Sequence, residues 1–481
     1  MRSISSEPER LTRACRSERP LAIRACRDAL PTCALLLASG CASYERLPLD
    51  GELVVAQLAE RPTAELDVEA ASDWLEDWFP FATNVRCDDG VTLAEANVLA
   101  LLYSPRVRAA RSEEGVSAAL VVQSGVLSNP QLFLGPMFST EGSSTIFPAS
   151  LTWQLPLWGQ VDAREESALA DLSVAQLAVV DVELSALREV RAAFLRLERR
   201  RREVEAFDSV VSFSTQLVRW VEELGDAGEA SLSTVYLVRA ERDAALAALE
   251  RARAMRIGAR SRLLELLGLL PDAEIEFTTE GANVMPSLPE ESEGNELLRV
   301  PALRQAHASY EASEAALKLA VRQQYPSVRV GLQYEGDRGE PFLGPGLSLS
   351  LPLFDRNEGG IEAARRAREL ARQRYEAELL RVSHGAARSR ASADAAESIV
   401  RAYREGSLRD ADDALVALEQ RLRLGHATAL EAVATQSAVA RSRARLLELE
   451  EQLYVSRFDL ALASGHAFPP MNDTNPSGGD R

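Results

Sequence analysis

The sequence has almost no lysine: Lys318 is the only one among 54 Lys and Arg residues. That bias reflects the base composition of the coding gene and carries no mechanism. Aromatic residues make up only 6% of the chain, while alanine, leucine, arginine and glutamate dominate, which points to long helices. Positive charge is in deficit. The 54 basic residues face 72 acids, a net charge of −18, which excludes a nucleic-acid partner because a polyanion would be repelled. No apolar run reaches the ~20 residues of a membrane-spanning helix. A polytopic helical membrane protein is thereby excluded, but a β-barrel is not. There is no glycine-rich phosphate loop, no paired-cysteine motif and no His-x-x-x-His. His307, His384, His426 and His466 are scattered, so no metal site, cofactor or catalytic triad is expected in one chain, and the chain does not read as an enzyme. Its 481 residues would ordinarily make about three domains, and 46% hydrophobic residues are enough to fold them.

The cysteines are clustered. Cys15, Cys26, Cys33 and Cys41 lie in the first 41 residues, and only Cys87 lies further on. The same stretch begins rich in arginine, turns apolar at Ala29–Ala38 and ends in Leu37-Ala38-Ser39-Gly40-Cys41. Basic, apolar and small-residue segments in that order describe a secretory signal peptide over residues 1–40. The final tetrapeptide resembles a bacterial lipobox, which makes Cys41 the lipid-bearing first residue of the mature chain. An ordinary signal peptide with a chance cysteine, or a mis-assigned start codon, is the alternative. Removing residues 1–40 leaves 47 basic and 68 acidic residues, a net −21, and only Cys41 and Cys87. An acylated Cys41 would leave no intrachain disulfide.

The mature chain repeats itself. Pro105 and Pro301, Pro130 and Pro326, and Pro156 and Pro352 are each 196 residues apart. Gly228 with Gly425 and Gly268 with Gly465 are 197 apart, and the residues around these anchors agree in type. Two matched halves therefore replace three domains. They span residues 92–268 and 296–465, with an N-terminal segment at 41–91, a linker at 269–295 and a disordered, Pro- and Gly-rich tail at 466–481. In the first half, Thr92-Leu93-Ala94-Glu95 fits a capping box opening a helix that runs to about Leu127, where Ser128-Asn129-Pro130 stops it.

Four segments then alternate with period two, the mark of half-buried strands. One face carries Leu132, Leu134 and Phe138 in the first and Leu151, Trp153, Leu155 and Leu157 in the second. Val328, Val330, Leu332 and Tyr334 share a face of the third, and Leu347, Leu349, Leu351 and Leu353 a face of the fourth. The opposite faces carry Gln154, Ser350, Arg329 and Glu335. Each segment has about the 10 residues a tilted strand needs to cross a bilayer. Polar loops are expected near Thr140–Thr145 and Gly336–Pro345. A soluble sheet covered by helices would alternate similarly, but the secretory leader favours the membrane. Barrels in lipid must close, and closure starts at about eight strands. Four strands per chain require a shared barrel, and a trimer would supply twelve.

The remaining sequence is long helix. From Val161 to Leu224 there is neither proline nor glycine, and from Ile361 to Leu424 only Gly385 and Gly406 interrupt. Each stretch would run about 95 Å. Shorter helices return over Ser231–Leu267 and Thr428–Ser464. Leu187, Val190, Phe194, Leu197, Val204 and Val211 step by three and four in coiled-coil fashion. Tight turns at Gly225–Ala230 and Gly425–Thr428 make two rigid hairpins.

On these residues the chain resembles the TolC-like outer-membrane efflux channels over nearly its whole mature length. The resemblance is carried by the duplicated helix–strand–strand–helix–helix unit. It is carried also by Ser128-Asn129-Pro130 and Tyr325-Pro326 before the strands, Leu155-Pro156-Leu157-Trp158 and Leu351-Pro352-Leu353-Phe354 after them, and the turn from Leu424 to Glu431. Gly159 and the Asn357–Gly360 stretch sit where the family often has a glycine-rich approach to the long helix, and the Asn-Pro pair looks like the heavy-metal branch. The resemblance implies a mainly α fold with a small transmembrane β part, assembled as a homotrimer with an α-barrel and a shared 12-stranded β-barrel. It implies outer-membrane lipid, a periplasmic adaptor (membrane fusion protein) and an inner-membrane pump as partners, in efflux or type I secretion. The pump supplies the energy. Glu431 falls where the family's periplasmic aperture carries a carboxylate ring; Ala434, at the place of a second carboxylate, speaks against a double ring. Gly228, Ser231, Gly425 and Thr428 would shape the tips that touch the adaptor; plain turn chemistry accounts for the same residues. A periplasmic adaptor-type lipoprotein would show one hairpin flanked by soluble β domains. A structural coiled coil would not need alternating strands at matching places in each half.

Overall fold

The computed structural model describes residues 44–61, 90–138, 145–278, 296–337, 340–424 and 426–465. The expected leader, Cys41, Cys87, most of the linker and the tail lie outside them.

Helix α1 (Gly51–Glu60) opens on Asp50, whose carboxylate accepts from the Glu52 N–H at 2.9 Å. Helix α2 (Leu93–Tyr103) starts with the expected capping box: Thr92 Oγ1 accepts from the Glu95 N–H, and Glu95 accepts from the Thr92 N–H at 2.7 Å. Residues on every side of α2 are buried, including Leu99, Val98 and Leu101, so it is an interior helix rather than a surface one.

The single helix expected from Thr92 to Leu127 is two helices. Ser104 adopts an extended ψ of 124°, and α3 (Pro105–Ser124) begins with proline at its first position. Proline has no N–H to donate and its ring clashes with the carbonyl four residues back, so it starts a helix and cannot continue one. The second half repeats this. A 3₁₀ turn at Glu296–Arg299 leads into α6 (Pro301–Arg322), again with proline first. The Pro105/Pro301 offset therefore marks two equivalent helix starts.

Between α3 and the first long helix come β1 (Gln131–Leu134), β2 (Met137–Phe138), β3 (Thr145–Ile146) and β4 (Ala149–Leu155); after α6 come β5 (Val328–Asp337) and β6 (Glu340–Leu349). The sheet order is β1-β4-β5-β6, antiparallel throughout, while β2 and β3 pair apart. β4 pairs with β5, so the two halves share one sheet. Three expectations are corrected here. The first strand breaks at Gly135-Pro136, which puts Phe138 in the separate ladder rather than on the Leu132 face. The expected loop from Gly336 to Pro345 is mostly strand, with Asp337 opposite Glu340 and Leu332 opposite Pro345; proline is tolerated because β6 is an edge strand. The second strand stops at Leu155 and the fourth at Leu349, leaving Leu157, Leu351 and Leu353 outside them.

Both strand exits have the same geometry. The Leu157 N–H donates to the Leu155 carbonyl and the Leu353 N–H to the Leu351 carbonyl, each at 2.9 Å and each across a proline. Such three-residue turns suit strand ends. Trp158 (φ 68°) and Asn357 (φ 58°) then take the left-handed conformation before the long helices. Trp158 stacks on Tyr325 at 5.6 Å and donates to the Pro326 carbonyl at 3.2 Å, tying the first half's exit to the second half's strand start.

Helix α4 (Gln160–Asp226) runs 67 residues without a break, about 100 Å at 1.5 Å per residue. It packs against α2, α3, α6 and the return helices α5 (Leu232–Leu266) and α9 (Ala429–Ala463). Its pairing with the neighbours is largely arginine–carboxylate, as in Arg111–Glu183 at 2.7 Å and Arg188–Asp459 at 2.5 Å. The sole lysine, Lys318 on α6, pairs with Glu166. The second long helix departs from expectation. Helix α7 (Glu358–Tyr403) passes through a π turn at Arg404–Leu408 into α8 (Arg409–Arg423). Gly406 sits in that turn, where glycine weakens helical order. Ser442 of α9 donates to the displaced Ser407 carbonyl at 3.5 Å, and the Tyr403 hydroxyl meets Ser442 Oγ at 3.1 Å. Both return helices end in glycines with positive φ, Gly268 (67°) and Gly465 (79°).

Candidate functional site

Two surfaces bear on function: the sheet and the hairpin tips. Register divides the sheet cleanly. Leu132, Leu151, Leu332 and Pro345 lie across from one another, as do Trp153, Val330 and Leu347. The other face carries Gln131, Thr152, Ser150, Gln154, Arg329, Gln333 and Ser348. The apolar face is uncovered: Leu132 is 65% exposed and Leu347 75%. A soluble sheet would bury these side chains beneath helices. In addition, β1 and β6 each have an edge unpaired among the described residues, which lipid does not tolerate. No helix among the described residues is long and apolar enough to cross a membrane.

At the first tip, α4 ends at Asp226 and Gly228 turns the chain with φ 81°. Ser231 caps α5, its hydroxyl accepting from the Thr234 N–H at 3.2 Å. At the second tip, Gly425 lies outside the described residues. Thr428 caps α9, and Glu431 completes a second capping box. Its carboxylate accepts from the Thr428 N–H at 3.0 Å, while the Glu431 N–H donates to Thr428 Oγ1 at 3.2 Å. Arg421 of α8 also donates to Glu431, at 3.1 Å, and to the His426 carbonyl at 2.9 Å. The Thr428 N–H, and after it the Arg421 guanidinium, hold the Glu431 carboxyl below its ordinary range. Sequence reasoning places Thr428 as a cap and Glu431 at the aperture but misses both their capping box and Arg421, which joins Glu431 only because the hairpin folds back ten residues. Ser231 and Thr428 occupy equivalent cap positions, but the first half has Thr234 where the second has Glu431, so the carboxylate belongs to one tip only. The two tips share a core of Leu217, Val221, Val238, Leu418, Ala432 and Val433.

A model of outer membrane efflux proteins matches residues 98–269 and again residues 294–466. The chain belongs to the outer membrane efflux protein family. It is 25% identical over 378 residues to the cobalt-zinc-cadmium resistance protein CzcC of Cupriavidus metallidurans, covering 76% of this chain and 87% of that one. A crystal structure of CusC superposes with a TM-score of 0.68 at 15% identity, over 89% of this chain and 99% of that one. The outer membrane protein VceC of Vibrio cholerae superposes with a TM-score of 0.63 at 21% identity, over 78% and 96%. The mainly helical fold with a small β part and the function of an outer-membrane efflux channel, both expected from the sequence, therefore stand.

Among the described residues no group of three or more His, Cys, Asp or Glu side chains is placed to hold a metal ion.

Proposed function

We propose that three copies of this chain assemble into a passive exit duct across the outer membrane and the periplasm. The observation that carries this reading is the sheet: among the described residues, one apolar face lies without cover and two edges lie without partners. Three such sheets joined edge to edge close a twelve-stranded barrel, turn the Leu332 face to lipid and satisfy the edge groups of β1 and β6. The Arg329 face then lines water. The long helices continue the duct through the periplasm, and Cys41 anchors the mature chain by its acyl groups.

The hairpin tips, shaped by Gly228, Ser231, Gly425 and Thr428, meet a periplasmic adaptor bound to an inner-membrane pump. That pump supplies the energy, so the duct itself catalyses nothing. Three Glu431 carboxylates converge at the periplasmic aperture and favour cations over anions. With CzcC as the relative over most of the chain, divalent transition-metal ions are the proposed cargo. The residue boundaries of the leader, the two repeats and the linker belong to the same reading.

Detergent-extracted protein is expected to run as a heat-sensitive trimer from the outer-membrane fraction. A monomer that stays soluble once its lipid anchor is removed would sink the duct. Deleting the gene is expected to sensitise the host to cobalt, zinc or cadmium; sensitivity confined to dyes and antibiotics would reassign the cargo.

A further inference from the structure

Beside the end of α5 lies an open groove of about 870 Å³. Arg108 of α3 and Arg262 of α5 line it, together with Leu58, Arg61, Leu270 and Pro271. The charge in it is uneven. Arg262 is matched by Glu189 and Glu265. Arg61 donates to the Gly268 carbonyl at 2.6 Å and lies over the Tyr103 ring, so it meets dipoles rather than a carboxylate. Arg108 forms no ion pair with another described residue. Burial, and after it the Arg108 guanidinium, push the Arg61 guanidinium down from its ordinary range. The groove thus offers apolar wall and uncompensated positive charge together.

The chain itself supplies a matching occupant. It leaves the described structure at Arg61, in the groove wall, and returns at Gly90. There the Val91 N–H donates to the Glu276 carbonyl at 2.8 Å, and the Thr278 N–H donates to the Val91 carbonyl at 3.0 Å. The strip from Gly268 to Thr278 joins both points, and Arg260 holds it on α5 through the carbonyls of Ala273 and Ile275. Residues 62–89 are therefore tethered at both ends beside the groove. They hold eight acids against one arginine, together with Trp74, Trp78, Phe79 and Phe81. Trp74 lies 13 residues past Arg61, within ~43 Å of extended reach.

We propose that the segment Asp73-Trp74-Leu75-Glu76-Asp77-Trp78-Phe79 of the same chain docks in this groove, its rings against Leu58, Leu270 and Pro271 and its carboxylates on Arg108 and Arg61. Tethering gives it an effective concentration of order mM, so each contact needs little affinity of its own. Charge-assisted pairs to guanidinium set the register, and the aromatic rings bury the apolar wall.

The test uses the full-length protein in detergent and a glutamyl endopeptidase. Arg108→Glu is expected to speed cleavage after Glu65, Glu69 and Glu76 about tenfold, because proteolysis follows the population of the released state. Adding Glu76→Arg and Asp77→Arg is expected to restore protection after Glu65 and Glu69. Equal cleavage of wild type and Arg108→Glu, with matched melting curves, overturns the docking. In a background with Cys15, Cys26, Cys33, Cys41 and Cys87 all replaced by serine, Glu76→Cys and Ser112→Cys are expected to join through a short bismaleimide at the mass of one chain. Joining only between two chains overturns the same-chain assignment. Full labelling of both cysteines without joining overturns the site.

Discussion

Gly268 lies so close to Tyr103 that a Cβ on the glycine would come within 2.2 Å of the Tyr103 carbonyl oxygen. The second half repeats the contact, with the Cβ of Gly465 at 2.0 Å from the Glu296 carbonyl. In each half the return helix therefore ends against the chain that leads to the proline-started helix. A side chain is excluded there twice, by the neighbour and by the positive φ.

Gly268→Ala and Gly465→Ala are accordingly expected to lower stability, each by about 2 kcal/mol or more, from left-handed strain and displaced backbone. Gly258→Ala is the control. It lies inside α5 with open space around its Cα, so alanine should stabilise by about 0.5–1 kcal/mol. Thermal melts in detergent compare the three.

Thr428→Ala removes the cap of α9 and is expected to cost about 1 kcal/mol. Hydrogen exchange should show the first turn of α9 loosened and the body of the helix unchanged. Ser231→Ala should do the same at the other tip.

The Glu431 carboxyl is held below its ordinary range, so the folded state binds its proton later than the unfolded chain does. Its contribution is fully present above the unfolded value, about 4.3, and is lost as pH falls through the lower folded value. Glu431→Gln should therefore flatten the pH dependence of melting below about pH 4.3 and leave it unchanged at neutral pH. An unchanged acid limb would remove Glu431 from the account.

The same residue predicts selectivity. In planar bilayers wild type is expected to favour cations, and Glu431→Gln to weaken that preference. Arg421→Ala, which strips the guanidinium from the carboxylate, should strengthen it. A channel that prefers anions would contradict the aperture role.

Leu332→Arg places charge on the uncovered sheet face, where a barrel in lipid would lose about 2–4 kcal/mol at mid-membrane. Heat-sensitive trimers should vanish from the outer-membrane fraction. Ser348→Arg, on the opposite face, should keep them.

Much of this architecture was legible because it rests on local chemistry. The proline offsets marked real helix starts and strand ends, the Thr92–Glu95 spacing gave a capping box, and the alternation of Leu151, Trp153 and Leu155 set one sheet face. What escaped depended on partners distant in sequence. Nothing local in Gly336–Pro345 announces a strand; β5 imposes it by offering a row of unpaired backbone groups. Pro105 broke a helix whose apolar pattern continues on both sides. The π turn at Arg404–Leu408 needs Ser442 across the hairpin, and Arg421 reaches Glu431 only after the chain reverses. Most of the tip chemistry was therefore visible, but its electrostatic balance was not.

The Lys318–Glu166 pair has a practical consequence. Nearly every other cation in this chain is a guanidinium, inert to reagents that acylate amines. Lys318 is half exposed, on a helix adjoining the sheet. Where the N-terminal amine is blocked, a single dye or spin label can therefore be written onto each purified copy without mutagenesis, at one known height. Three equal distances between labels would then report threefold symmetry of the purified protein in detergent.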